Sequence, residues 1–348
     1  MNLMASVSRS SGLERDGDDL KNYKTQEEYR AFIQEKVDEL SRNYPRTSSE
    51  SEDRTKQRMD AQENVLILFR KLREGVASSS RRDAFALEVY ETSLYLSAIF
   101  GSPKQTISII HHLFPPATSG PSTPFTFSNT ATTDMLLQPS TYTVLIALLH
   151  HLVVSYPSQS TYFQQIDSIP ETVLPRTSEL AKWLKLLTKA LRARNYAKFS
   201  VLSQRSSLPL ILKDPSAPTS ELRTSDIEPT LGKLSLANKS DPAKGLEGVL
   251  SLLKALRGKV SETAWTIIRS AYRELSCDQA SGGTRTWLAR SLCLEPIFLS
   301  GKSRELRGRE EGEADRVDVE TWLEARVTAG HVRRKEGVEG RWIVCKVR

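Results

Sequence analysis

Residues 84–116, AFALEVYETSLYLSAIFGSPKQTISIIHHLFPP, constrain the fold more than any other stretch of the chain. Phe85, Val89, Leu94, Leu96, Ile99 and Phe100 make one strongly apolar helix that has to be buried. Gly101 then offers a left-handed C-terminal cap. Ser102 and Pro103 restart a helix, proline being favourable at a first helical position. Pro115 and Pro116 stop it. The stretch therefore predicts a helical hairpin with a very short connection, and a mainly α chain built around it.

Helical periodicity recurs on both sides. Helices are expected at about 25–42, 57–74 and 141–156, as a second hairpin over 178–205 with Asn195 at its break, and at 245–257, 262–275, 285–292 and 317–330. Polar or Ser/Thr/Pro-rich stretches interrupt them at 44–56, 117–140, 213–244 and 300–316. The last residues, HVRRKEGVEGRWIVCKVR, read as two short strands around a Gly-flanked turn. Helices followed by such a hairpin give the order of a winged helix. The expected organisation is a disordered N-terminus (1–25), a helical-repeat region of stacked hairpins in the manner of a TPR-like α-solenoid (26–212), a linker or long loop (213–244), and C-terminal helices with a winged-helix subdomain (245–348).

The chain has 348 residues, 39% hydrophobic and 26% charged, which argues against global disorder. Cys277, Cys293 and Cys345 are odd in number and widely spaced, so neither a disulfide framework nor a metal knuckle is expected, and a reducing intracellular compartment suits them. The N-terminus lacks the apolar core of a secretory signal, and the longest apolar run, VLIALLHHLVV at 144–154, is too short to span a bilayer. No H-E-x-x-H or G-x-S-x-G occurs, and the GKS at 301–303 has Pro296 where a phosphate loop needs glycine. The adjacent pairs His111–His112 and His150–His151 diverge by about 100° on a helix, so they do not form a metal site. Glu88 and Glu91 read as an amphipathic turn beside inward-packing Val89 and Tyr90. No catalytic residue, metal or cofactor is expected.

Charge is the informative property. The net charge is +7, and residues 181–205 hold seven basic residues and no acidic one. On the helix there, Trp183, Leu184, Leu187 and Leu191 share one face, while Lys182, Lys185, Lys189 and Arg192 share the other. With Lys198 these form a candidate surface for RNA, DNA or an acidic protein chain. The terminal hairpin offers a second basic set, Arg333, Arg334, Lys335, Arg341 and Lys346. Alternation there places Ile343 and Val347 against the final helix and presents Trp342 beside Lys346, for base stacking with phosphate contact or for a partner subunit. Trp322 and Trp342 are the candidate partner-interface residues.

Three stretches carry a family resemblance. FALEVYETSLYLSAIFGSPKQ (85–105), ALRARNYAKFSVLS (190–203, through Asn195, Tyr196 and Phe199) and AWTIIRSAYRELSC with TRTWLARSLCLEP (264–296) resemble the Sac-three/GANP/Thp-three family of PCI-domain proteins. The likeness spans roughly residues 60–348. It departs at LFRKLREGVASSSRRD, where the family carries a different stretch upstream of VYET. The resemblance implies a non-enzymatic scaffold of nuclear mRNA-export or transcription-coupled processing complexes, in the nucleus and in part the cytoplasm. It would be paired in a hetero-oligomer with a second PCI-domain protein and a small acidic subunit, with nucleic acid at the winged-helix face. The alternative is a protein-binding subunit of the proteasome-lid, COP-nine-signalosome or initiation-factor-three type.

Overall fold

A computed structural model describes residues 20–45, 51–115, 138–209, 241–277, 282–297 and 318–346. The expected disordered N-terminus (as far as residue 19), the Ser/Thr/Pro loop (to 137), the linker (to 240) and the insertion with its GKS lie outside the described residues. The protein is mainly helical, with a small three-stranded antiparallel sheet near the C-terminus. The chain divides into two compact units, one of Met1–His150, Gln164–Val173 and Thr219–Val249, the other of His151–Phe163, Leu174–Pro218 and Leu250–Arg348.

The first unit begins with α1 (Tyr23–Asn43), α2 (Glu52–Ser78), α3 (Ala84–Ile99) and α4 (Pro103–Leu113). It also takes most of α5 (Thr141–Ser155) and parts of α6 (Ser160–Ser168) and α9 (Pro242–Ala271). Helix α2 starts earlier than the polar composition of 44–56 suggests, because Ser51 accepts the Arg54 amide and Glu52 and Asp53 sit where the helix dipole favours acids. Helix α3 is buried on nearly every side. Gly101, at φ +66°, ends it as a left-handed cap, with the Ser102 amide donating back to the Ser97 carbonyl at 2.9 Å. Gly75 is obligatory for another reason. A Cβ there would lie 2.7 Å from the Leu20 Cβ and 2.8 Å from its carbonyl oxygen.

Buried polar side chains tie this unit together. Gln26 donates to the Leu20 carbonyl and to Ser79, and Arg81 pairs with Glu27 and Asp83 at 2.8 Å while lying over the Phe85 ring. Glu88 takes a bidentate ion pair from Arg30. Glu91 departs from the expected surface turn: it is buried, and it accepts the Ser140 amide at 2.6 Å and the Thr143 hydroxyl at 2.8 Å. A carboxylate at the start of α5 satisfies helix N-terminal donors, which outweighs the cost of its burial.

The second unit contains α7 (Glu179–Arg192), α8 (Tyr196–Leu202), a 3-10 turn (Arg205–Ser207), most of α9, β1 (Glu274–Ser276), α10 (Gly282–Ser291), α11 (Val319–Thr328), β2 (Val332–Arg334) and β3 (Arg341–Val344). Two expectations need correction here. The helices predicted at 245–257 and 262–275 are one helix, since Leu252, Leu253, Leu256, Val260, Ala264, Trp265 and Ile268 keep the apolar spacing across Gly258 and Lys259. Residues 274–276 are a strand and not a helix end. The Val344 amide donates to the Arg273 carbonyl, and the Cys277 amide to that of Gly340, so β3 holds this segment extended.

The sheet order is β1–β3–β2, with Leu275 opposite Trp342 and Val332 opposite Val344. Elsewhere in this unit, on α9, Arg257 is buried to 4% exposure. Its guanidinium donates to the Ser200 carbonyl (2.9 Å), the Ser203 hydroxyl (2.7 Å), the Cys293 carbonyl (2.9 Å) and the Glu295 carbonyl. One side chain thus joins α9, the end of α8 and the segment after α10.

Candidate functional site

Helix α7 owes its stability to its ends and one face. Ser178 accepts the Ala181 amide, Glu179 stands in the first turn, and Lys189 and Arg192 stand in the last, where the dipole favours cations. Leu180, Trp183, Leu184, Leu187, Ala190 and Leu191 are buried. The Trp183 indole donates to the Leu202 carbonyl at 3.1 Å, locking α7 to α8. Asn195 caps α8 by accepting the Lys198 amide, and Tyr196 and Phe199 are buried. Burial pushes the Tyr196 hydroxyl up to about 12, as does its hydrogen bond with Tyr156.

The opposite face is basic and open. Lys182, Lys185, Lys189, Arg192 and Lys198 are all exposed. The stripe is not wholly free of acids, because Glu179, just before it, pairs with Lys182 at 2.7 Å. Lys185, Lys189 and Arg192, at i, i+4 and i+7, form no ion pair among the described residues. Like charges at that spacing repel by a few tenths of a kcal/mol per pair. An anion laid along the face would relieve that repulsion.

The terminal hairpin is different. Lys335 and Arg341 both reach Glu274 at 3.1 Å, and Arg334 is bonded to Glu324 with Glu320 at 3.9 Å. The two cations hold the Glu274 carboxyl below its usual range, Lys335 contributing most. Arg333 and Lys346 are exposed. Three of the five predicted hairpin cations are thus answered within the chain.

The two faces of β3 are the reverse of the expectation. Trp342 is only 2% exposed and Val344 is buried, while Ile343 is half-buried; Val347 lies outside the described residues. The larger ring takes the interior because Leu275 stands opposite it, and Arg334 covers its rim with the guanidinium 5.2 Å from the ring centre. Trp342 therefore stacks on nothing outside the unit. Trp322 is half-buried, edge-on to Trp265 at 4.9 Å and covered by Arg326 at 4.5 Å.

Inspection of the sequence alone misses β1, Glu274 and the exposed rings of Tyr272 and Trp287, which meet at 5.7 Å. The one available signal was the polar–apolar–polar order of Glu274, Leu275 and Ser276, too short to outweigh the helical pattern before it. Among the described residues, no group of three His, Cys, Asp or Glu is placed to hold a metal ion. No helix among them is long and apolar enough to cross a membrane. Comparison with protein-family models, with curated proteins and with solved structures finds no match to the chain.

Proposed function

We propose that this chain is a non-enzymatic scaffold subunit that carries an anionic partner, nucleic acid first, on the exposed face of α7. The observation that carries the proposal is the trio Lys185, Lys189 and Arg192, exposed on one helix face with no carboxylate answering them among the described residues. The family resemblance contributes the rest of the reading: a PCI-type protein of the mRNA-export or processing class, working beside a second PCI-domain protein and a small acidic subunit. In support, helical hairpins precede a C-terminal order of helix, strand, two helices and two strands with sheet order β1–β3–β2, the order of a winged helix.

Backbone contact through these cations makes affinity fall steeply with salt, and removing a phosphate contact lowers the logarithmic slope by about 1 per residue. The test is the double reversal Lys185→Glu/Lys189→Glu in the full chain, measured by salt-titrated RNA and DNA binding and by pull-down of associated subunits. Loss of nucleic-acid affinity with pull-down intact is the expected result. A second reading, a purely protein-binding subunit of the lid, signalosome or initiation-factor type, is favoured by the intrachain neutralisation of Arg334, Lys335 and Arg341. Loss of pull-down with nucleic-acid binding unchanged selects that reading.

A further inference from the structure

Three arginines are buried among the described residues, and two of them are answered within the chain. Arg81 has Glu27 and Asp83, and Arg257 has three carbonyls and a hydroxyl. Arg73, on α2 and 5% exposed, is different. Its Nη2 donates to the Gln105 side-chain oxygen at 3.3 Å, but its Nε has no partner and no carboxylate pairs with it among the described residues. Glu74, next to it in sequence, is 61% exposed and pairs with Arg70 at 3.6 Å. The Arg73 guanidinium lies 6.0 Å from the centre of the Tyr90 ring on α3, and the His112 ring of α4 lies 5.7 Å from that same ring. Gln105, Ser108 and His112, at i, i+3 and i+7, share one face of α4, where Ser108 and His112 are exposed. Burial lowers the His112 pKa, and Arg73 and His111 lower it further.

We infer that Arg73, Gln105, Ser108 and His112 form a binding site for a phosphate dianion, free or as the monoester of a peptide side chain. A buried guanidinium without an anion is costly, and a hydrogen-bonded oxyanion removes that cost. The donor set selects the anion. A guanidinium fork, an amide, a hydroxyl and an imidazole offer hydrogen bonds to several oxygens at once. With His112 taking up a proton from solvent as the ligand arrives, the site carries two positive charges, which match a phosphate monoester better than a carboxylate or a phosphodiester. Lys104 on α4 is exposed beside Gln105, and Glu74 is occupied by Arg70, so the surroundings stay cationic. The inference uses no residue of the nucleic-acid reading and stands or falls apart from it.

The experiment follows the five histidine rings of the full chain by NMR at constant ionic strength. Inorganic phosphate is titrated in one arm, and a phosphoserine peptide beside its unphosphorylated form in the other. Saturable binding should raise the His112 pKa by about 1, leave His331 where it is, and raise the thermal midpoint. Arg73→Met, which keeps the volume and removes the charge, should abolish the response. Ser108→Asp, at an exposed position, should abolish it by repulsion with the fold intact, and it decides alone if Arg73→Met does not fold. A response to the phosphopeptide and not to free phosphate supports the site with a modified protein as its source, and the reverse supports it for the free anion. No saturable shift of His112 with either probe overturns the inference. So does a shift that survives Ser108→Asp, or one that the unphosphorylated peptide also produces.

Discussion

Arg257, on α9, bonds to two other segments of the second unit, 200–203 and 293–295. Its buried guanidinium is satisfied by three carbonyls and a hydroxyl and, among the described residues, by no carboxylate, and burial lowers its pKa. Arg257→Ala leaves those acceptors unpaired in a dry site, at a cost of about 3–5 kcal/mol. The urea midpoint should fall accordingly. Arg257→Lys should recover little, since an ammonium cannot span acceptors on two segments. His331 supplies a pH dependence. The Trp265 indole donates to its Nδ1 at 3.2 Å, so that nitrogen carries no proton in the folded state. Burial lowers the His331 pKa, Arg269 and Arg326 lower it further, and Glu262 opposes them. The unfolded chain therefore binds the proton more readily. The His331 contribution is complete above its unfolded pKa of about 6.5 and is lost as pH falls from there through the folded value. Thermal midpoints between pH 7.5 and 5, matched against His331→Gln, should show the parent's decline blunted in the variant. None of these residue roles was legible beforehand. Arg257 reads in sequence as one more cation of an amphipathic helix, and its acceptors are brought to it from 200–203 and 293–295 only by folding.

At the level of elements, legibility followed length. The hairpin of α3 and α4 was readable to within a residue or two because apolar density, Gly101 and Pro103 agreed with one another. The sequence reading divides helix α9 into 245–257 and 262–275, although the buried spacing continues through Gly258 and Lys259. Gly258 is helical, and a Cβ added there meets nothing within 4 Å. Gly258→Ala should therefore stabilise the protein by about 0.5–1 kcal/mol, seen as a raised denaturant midpoint with unchanged slope. Strand β1 was invisible because three residues carry too few alternations, and its identity depends on β3, distant in sequence.

For the molecule as a whole, net charge was a poor guide and the placement of counter-charges a good one. The basic residues of α7 were found from sequence, apart from the Glu179 partner of Lys182. The hairpin cations were found too, but Glu274, Glu320 and Glu324 answer them across 10–67 residues of chain, which no local pattern reveals. Binding through uncompensated surface cations should weaken by orders of magnitude between about 50 and 200 mM salt if six or more phosphates are contacted, and by less for a trio.

Arg257 makes ionic strength a clean experimental handle. Because it is held by carbonyl dipoles away from water, mobile ions have little to screen there. Moderately raised salt should strip an anionic ligand from the surface while leaving the second unit folded. A salt elution could then release the partner from immobilised protein and return the same resin ready for reloading.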